Sequence, residues 1–92
     1  MMYLVTYTLN PKRDVSKVVS ALQGLGTLKW WHFLDDAWLI STRETTAQLY
    51  ERLRHAFLNN DRILIFEIKP DAEVQGWLPN EAWEWIQQNQ RL

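Results

Sequence analysis

The fold is decided by residues 28–42, which read LKWWHFLDDAWLIST. Residues 28–34 alternate between two faces and are rich in aromatic side chains, which is typical of a β-strand. Residues 37–42 form a second such run, and only Asp35-Asp36 separates the two. This spacing predicts a tight antiparallel hairpin. Because neighbouring strand residues point to opposite faces, the aspartates are assigned to the turn rather than to a carboxylate site.

On either side of the hairpin the apolar residues recur with the period of a helix. Upstream, Asp14 is a candidate N-cap, and Gly24 and Gly26 supply the stop. Downstream, Thr45 followed by Gln48 is the sequence pattern of a capping box. Each segment carries one apolar stripe that predicts a buried face. The stripes are Val15, Val18, Val19, Leu22 and Leu25 in the first helix and Leu49, Leu53, Ala56 and Phe57 in the second.

Two further strand patterns, residues 2–9 and 62–69, lie beyond the helices. Asn10-Pro11 ends the first and Pro70 ends the last. In each strand the more apolar set of alternate residues is expected to face the helices. These sets are Tyr3, Val5, Tyr7 and Leu9 in the first strand and Leu64, Phe66 and Ile68 in the last.

A connector over residues 71–78 leads to a third predicted helix, Asn80 to Gln90, whose polar tail is expected to fray. Because crossover connections are right-handed, strands 1 and 3 are expected side by side in the middle of the sheet. The sequence therefore predicts an α+β fold, a ferredoxin-like β-α-β-β-α-β sandwich with a four-stranded antiparallel sheet and an extra C-terminal helix. Residues 1–92 are expected to form one domain, with residues 70–92 as a C-terminal extension.

The second face of this sheet is expected to be too apolar to remain uncovered in a monomer. Two coverings are open: the C-terminal helix folds over it with Trp83 and Ile86, or two copies pack sheet against sheet as a homodimer. A chain of this size hides only about 60–65% of its unfolded surface, so a partner subunit would add stability. The residues expected on this face or in the dimer contact are Leu4, Thr6, Ile63, Ile65 and Trp83.

The amino-acid composition argues against several classes of function. Ten Lys and Arg residues against 11 Asp and Glu residues give a net charge of -1, so the excess positive charge that drives sequence-independent nucleic-acid binding is missing. There is no cysteine, hence no thiolate metal site. No apolar run approaches the roughly 20 residues that span a bilayer, and the N-terminus lacks a signal-peptide pattern. We therefore expect a cytoplasmic protein without a membrane partner, metal or cofactor.

Candidate polar sites are few. His32 and His55 are far apart and lack metal-ligand spacing. His32 is expected to be a hydrogen-bonded structural residue, with stacking or titration as the alternative. No phosphate loop, nucleophile elbow or zinc-protease motif is present, so no catalytic residue is predicted. The basic residues that could contact phosphate groups at a loop rim are Lys12, Arg13, Arg43 and Arg62.

Several short strings, in order along nearly the whole chain, carry a family resemblance. They read MYLVTY at residues 2–7, WHFL at 31–34 with WLI at 38–40, NNDRIL at 59–64 and GWLP at 76–79. In these strings the chain resembles the SinR-like small proteins, which are bacterial and phage-borne proteins of about this length. Those proteins are similar in fold to the small CRISPR-associated endonuclease that partners the spacer integrase.

The resemblance implies a ferredoxin-like homodimer with a link to nucleic acid. In the CRISPR-associated relatives the first strand ends in Tyr-Asp, and the two aspartates of a dimer hold a metal for phosphodiester cleavage. Here Tyr7 is followed by Thr8, whose hydroxyl cannot replace a carboxylate as a divalent-metal anchor. Thr8 therefore argues against cleavage by that mechanism. The candidate strand-end site consists of Thr8, Asn10 and His32.

The sequence thus predicts a non-catalytic, dimeric interaction protein or nucleic-acid-associated adaptor. Two alternatives stay open. One is a metal-dependent endonuclease of the CRISPR-associated type, in which polar groups near the end of strand 1 substitute for the missing aspartate. The other is a toxin–antitoxin or phage anti-defence partner protein.

Overall fold

The computed structural model describes residues 1–11, 16–24 and 29–90, without the side chains of residues 29–31 and 33. Within these residues the chain is a small α+β protein with an antiparallel sheet and three α-helices. The strands are β1 (Met2–Thr8), β2 (Lys29–Leu34), β3 (Ala37–Ser41) and β4 (Arg62–Ile68). The helices are α1 (Ser16–Gln23), α2 (Thr46–Leu53) and α3 (Asn80–Gln90), and a 3-10 turn over Arg54–Ala56 extends α2.

β1 is the strand on which the described core is built. It pairs antiparallel with β3 on one side and with β4 on the other, so that Val5 lies opposite both Trp38 and Ile65. β2 continues the sheet beyond β3, and the strand order is β2-β3-β1-β4. The exposed turn at Asp35-Asp36 joins β2 to β3, as the hairpin pattern predicted.

The first face of the sheet is the one that α1 and α2 cover. Tyr3, Val5 and Tyr7 of β1 point into this layer and are buried, which confirms the face predicted for the first strand. Fully burying an aliphatic or aromatic side chain contributes about 1.5–3 kcal/mol, so this layer supplies most of the apolar stabilisation. The other buried members of this first core are Val18, Leu22, Trp38, Ile40, Leu49 and Leu53. The predicted cap Asp14 and the predicted helix residues Val15, Leu25 and Gly26 lie outside the described residues.

α2 begins at the predicted capping box. The Thr45 hydroxyl oxygen accepts from the Gln48 backbone N–H at 3.1 Å, and the Gln48 side-chain oxygen accepts from the Thr45 N–H at 2.9 Å. Two backbone donors that the helix cannot satisfy are thereby paired. The α-helix ends sooner than the apolar stripe predicted, because the chain tightens into the 3-10 turn after Leu53. Phe57 then follows in extended conformation, with its ring 5.8 Å from that of Tyr7.

The second face is covered in part by α3. Ala82 and Ile86 are buried against Leu39 of β3, and Leu4 and Ile68 pack around them. This second core matches the first of the two coverings that the sequence left open. The last turn of α3 is also held, because the Gln90 amide donates to the backbone oxygens of Lys69 at 3.2 Å and Ala72 at 2.8 Å. The expectation of a frayed tail is therefore wrong as far as Gln90.

β4 turns the opposite set of residues to the helices from the predicted one. Residues paired across antiparallel strands share a face, and Ile65 pairs with Val5 while Ile63 pairs with Tyr7. Ile63 and Ile65 therefore pack against the first core, and their assignment to the second face is wrong. A shift of one residue is enough to exchange the two faces of a strand. The residues that β4 places on the second face are Leu64, Phe66 and Ile68.

Candidate protein interface

Half of the second face is left uncovered, and we call this half the open patch. One residue from each strand lines up across the sheet here, since Leu34 pairs with Ala37, Ala37 with Thr6 and Thr6 with Leu64. Leu34, Leu64 and the adjoining Phe66 are 48%, 51% and 55% exposed. The open patch consists of Thr6, Leu34, Ala37, Leu64 and Phe66.

The limit of the open patch follows from the position of α3. Met2 and Leu39, on the covered half, are 1% and 7% exposed. Leu4 pairs with both Leu39 and Phe66, and it is half-buried at the border between the two halves. The helix therefore protects the end of the sheet that holds Met2 and leaves the hairpin end open. Contiguous apolar surface of this kind, spread over four strands, is characteristic of contact surfaces.

Three of the residues predicted for the second face lie there. Leu4 and Thr6 project from β1 toward it, and Thr6 uses its hydroxyl within the chain by donating to the Asp36 backbone oxygen at 3.0 Å. Trp83 packs against the second core of its own chain. A contact of these residues with a second copy stays a prediction.

Tyr7 lies below the hairpin turn and joins it to the first core. Its backbone N–H donates to the Asp36 oxygen at 3.2 Å, and its hydroxyl accepts from the Trp38 indole N–H at 3.3 Å. The same hydroxyl lies 3.5 Å from the Asp35 backbone oxygen. Burial raises the pKa of Tyr7; the Trp38 hydrogen bond opposes this rise, and the negative charges of Asp36 and Asp35 add to it.

His32 lies against the first face and is used structurally. Its ring stacks on Trp38 with a centroid distance of 4.1 Å and an interplanar angle of 11°. Its Nδ1 lies 3.0 Å from the Ala37 backbone oxygen, which is hydrogen-bond distance. These contacts agree with the expectation of a structural histidine. A register shift between Trp31 and Leu34 then turns Leu34 to the second face, although simple alternation predicted that it would share a face with His32.

The three residues of the predicted strand-end site are not brought together. Thr8 is exposed on β1 opposite Arg62, on the second face. His32 belongs to the first face, beyond β3. Asn10 is exposed, and its backbone N–H donates to Asp61 Oδ1 at 2.8 Å. The region around Thr8 is therefore a loop junction rather than a shared site with His32.

The predicted basic rim is divided between two ends of the sheet. Arg62 lies beside Thr8, whereas Arg43 follows β3 at the end that holds Met2. The length of β1 separates these ends by about 20 Å. Lys12 and Arg13 lie outside the described residues.

Acidic and histidine side chains do not gather into a metal-ligand set within the described residues, where no group of three or more is close enough to hold an ion. A shallow groove of about 470 Å³ runs along α2. The Glu44–Arg52 ion pair, at 2.8 Å, lies in this groove. The groove is lined by Glu44, Ala47, Gln48, Glu51 and Arg52.

Two polar features were missed by reading the sequence. Asp61 Oδ1 accepts from the Asn10 N–H, and Asp61 Oδ2 accepts from the Leu58 N–H at 2.7 Å, so one carboxylate ties the end of β1 to the turn before β4. Its place in an Asn-Asn-Asp turn was the available signal. Asn89, which is 2% exposed in α3, gave no signal because it lies in a uniformly polar tail.

Comparison with protein-family models, with curated proteins and with solved structures gave no match to this chain. None of its described helices combines the length and the apolar character needed to cross a bilayer.

Proposed function

We propose that this chain is a non-catalytic, dimeric interaction protein with a ferredoxin-like fold, and that the open patch is its contact surface. The observation that carries the proposal is the half-exposure of Leu34, Leu64 and Phe66 on one continuous sheet face. A chain of 92 residues has little apolar surface to spare, so leaving three large side chains in water costs stability that a partner restores.

The ferredoxin-like assignment is supported by the strand order β2-β3-β1-β4 and by the placement of α1 and α2 on the same face. In the split β-α-β arrangement the first and third strands are the central pair, and β1 and β3 occupy those positions here. α3 is then an addition to the basic arrangement.

A second copy is the occupant that we favour for the open patch. The sequence resemblance to the SinR-like proteins implies a homodimer, and this part of the proposal rests on that resemblance. An adaptor role in association with nucleic acid belongs to the same proposal. It is the weaker part, because Arg43 and Arg62 lie at opposite ends of the sheet and the net charge is -1.

The contact surface is tested by sedimentation over a concentration series that extends to about 100 μM. We expect a dimer, and we expect the double substitution Leu64→Lys and Phe66→Lys to weaken it about tenfold or more, because two buried apolar contacts become charged. Leu58→Lys is the matched control, since Leu58 is 60% exposed and lies outside the open patch. A strict monomer over the whole series would refute the proposal.

A nuclease assay separates this proposal from the endonuclease alternative. We expect no cleavage of single- or double-stranded RNA or DNA in magnesium or manganese, because Thr8 supplies no carboxylate. Cleavage that Thr8→Asp increases and Thr8→Ala leaves unchanged would indicate that other groups supply the metal site. For the toxin–antitoxin or anti-defence alternative, the decisive result would be a different protein that displaces the second copy from the open patch.

A further inference from the structure

The outer edge of β4 carries a row of backbone groups that pair with no other strand of the described sheet. β4 is the last strand of the sheet order, so only its inner side pairs with β1. Hydrogen bonds from Tyr7 N–H to the Asp36 oxygen and from Thr42 N–H to the Met1 oxygen show that odd-numbered residues of β1 point their backbone groups at β3. Alternation then directs the even-numbered residues of β1 at β4.

The same alternation identifies the free groups on β4. Its even-numbered residues bond to β1, so the backbone N–H and C=O groups of Ile63, Ile65 and Glu67 point outward. None of these groups has a backbone partner in another described segment. Both ends of this row are closed by turns, because Asp61 N–H donates to the Leu58 oxygen and Ala72 N–H to the Lys69 oxygen.

β4 also lacks two of the features that usually prevent edge pairing. Proteins protect edge strands with proline, bulges or charged residues, and of these β4 has only Arg62 and Glu67, near its two ends. The strand reads RILIFEI and holds no proline, and its register with β1 is unbroken from Arg62 to Ile68. The opposite edge, β2, has a register shift between Trp31 and Leu34 that interrupts regular pairing.

We propose that β4 pairs antiparallel with β4 of a second copy, around a two-fold axis at Ile65, so that the two sheets become continuous. This inference rests on the proposed dimer and specifies how its two copies meet. The free N–H and C=O groups of Ile63 and Glu67 pair with those of the partner's Glu67 and Ile63, and Ile65 pairs with itself. Together they form about six backbone hydrogen bonds.

The side chains of β4 are self-complementary in this register. Leu64 of each copy lies opposite the partner's Phe66, at positions between the hydrogen-bonded pairs where cross-strand side chains approach most closely. Both residues are about half exposed in the single chain, at 51% and 55%, and the pairing covers the side of them that faces the β4 edge. Leu34, at the β2 end of the open patch, lies outside this contact. Lys69, whose Nζ lies 3.1 Å from Glu67 Oε2 in its own chain, lies opposite the partner's Asp61, so opposite charges face each other at both ends.

Two other registers, centred like this one on an outward-pointing residue, are less favourable for identifiable reasons. Centring the pair on Glu67 would place two like charges directly opposite each other, which is destabilising. Centring it on Ile63 would place Asp61 opposite the partner's Ile65 and lose the charge pairing with Lys69. The register centred on Ile65 avoids both faults. These differences favour a second copy over an unrelated strand as the occupant of the edge.

The edge contact is tested with Glu67→Pro and its control Glu67→Ala. Both substitutions remove the Glu67 carboxylate. Proline also removes the outward backbone N–H of residue 67, and neither substitution removes a hydrogen bond to β1. We expect Glu67→Pro to weaken the dimer about tenfold or more and Glu67→Ala to change it less than about threefold. Circular dichroism checks that both variants are folded.

A cysteine pair gives a second measurement that does not depend on the proline variant. The chain has no cysteine, so Leu64→Cys and Phe66→Cys proteins can be mixed and mildly oxidised. Opposite residues at these positions are about 4.5 Å apart at Cα, within the range for a disulfide, and we expect a cross-linked heterodimer. Mixing Leu64→Cys with Leu58→Cys is the control and should give little product.

The outcomes distinguish the two proposals. A monomeric wild-type chain would overturn the edge pairing together with the proposed dimer. A wild-type dimer that Glu67→Pro leaves intact, and in which the Leu64–Phe66 cysteines do not cross-link, would overturn the edge pairing alone and favour sheet-against-sheet packing. Dissociation by Glu67→Pro, or efficient cross-linking if that variant fails to fold, would support the edge pairing.

Discussion

Tyr7 connects the first core, the hairpin turn and Trp38. Its ring belongs to the first core, its backbone holds the hairpin turn at Asp36, and its hydroxyl accepts from the Trp38 indole. Because the indole is fully buried, it needs an acceptor inside the protein. The folded state therefore contains the Tyr7 phenol in its neutral form, packed in the first core.

The raised pKa of Tyr7 predicts a loss of stability in alkali. The folded chain holds the Tyr7 proton more tightly than the unfolded chain, whose reference pKa is 10.0. This contribution is complete below about pH 10 and is lost as the pH rises through the higher pKa of the folded state. We expect the free energy of unfolding, measured with urea from pH 8 to 11, to decrease less steeply with pH for Tyr7→Phe than for wild type.

The substitution Tyr7→Phe also has a cost that does not depend on pH. Below pH 9 it removes the hydroxyl that accepts from the Trp38 N–H, and we expect a loss of about 1–2 kcal/mol. Tyr50→Phe is the control, because Tyr50 is 45% exposed. Equal alkaline slopes in wild type and Tyr7→Phe would show that Tyr7 does not cause the loss.

Asp61 predicts a second effect at a single residue. Each of its carboxylate oxygens accepts a backbone N–H, from Asn10 at 2.8 Å and from Leu58 at 2.7 Å. Hydrogen bonds to a charged acceptor are stronger than neutral ones, so we expect Asp61→Ala to cost about 1–3 kcal/mol in the free energy of unfolding. Asp61→Asn keeps one acceptor oxygen, so its free energy of unfolding should lie between those of wild type and Asp61→Ala. Identical urea midpoints for all three proteins would contradict this role.

At the scale of elements, α3 is attached through a short apolar stripe that ends in a polar residue. Asn89 is buried with Ala82 and Ile86, its amide nitrogen donates to the Trp85 oxygen at 2.8 Å, and its Oδ1 accepts no hydrogen bond from a described residue. A buried carbonyl without a donor is unfavourable. α3 is thus held less firmly than its length would allow.

We therefore expect Asn89→Leu to stabilise the protein. Leucine is similar in size, removes the unpaired oxygen and extends the apolar stripe, so a gain of about 1 kcal/mol is expected in thermal or urea unfolding. Asn89→Asp tests the same site in the opposite direction, because it places a charge there and should cost about 2 kcal/mol or more. A clear destabilisation by Asn89→Leu would mean that Oδ1 has a partner.

Comparison of β1 with β4 shows how far the sequence could predict the elements. The hairpin, the capping box and the β1 face were predictable, because turn residues, side-chain spacing and pairing partners all agreed. β4 contains four consecutive apolar residues, from Ile63 to Phe66, so alternation cannot tell which set faces the helices. Only the register with β1 decides it, and register depends on contacts distant in sequence.

The candidate interface was predictable only in outline. An apolar second face followed from the composition of the strands, and Leu4 and Thr6 do lie on it. Leu34 joins that face because of the register shift in β2, and Leu64 and Phe66 join it because of the β4 register. Neither effect is encoded in local periodicity.

At the scale of the whole molecule, one sheet carries two cores of unequal extent. The first core spans β1, β3, α1 and α2, while the second is limited to the part of the sheet that α3 can reach. An eleven-residue helix is about 16 Å long, too short to cover a four-strand face completely. The open patch is a consequence of this limited cover, whereas the outer edge of β4 follows from its place as the last strand of the sheet order.

Dimerisation through these surfaces predicts a melting temperature that depends on protein concentration. When a dimer unfolds to two separate chains, each tenfold rise in concentration stabilises the folded dimer by about 1.4 kcal/mol. For a chain of 92 residues this raises the melting temperature by up to roughly 4 °C per tenfold rise. We expect this shift in scanning calorimetry of wild type between about 5 and 500 μM. The Leu64→Lys and Phe66→Lys double variant should show a smaller shift, because its dimer is weakened. A wild-type transition that stays at one temperature over this range would indicate that the folded chain is stable alone and that the exposed side chains at the β4 edge stabilise no partner.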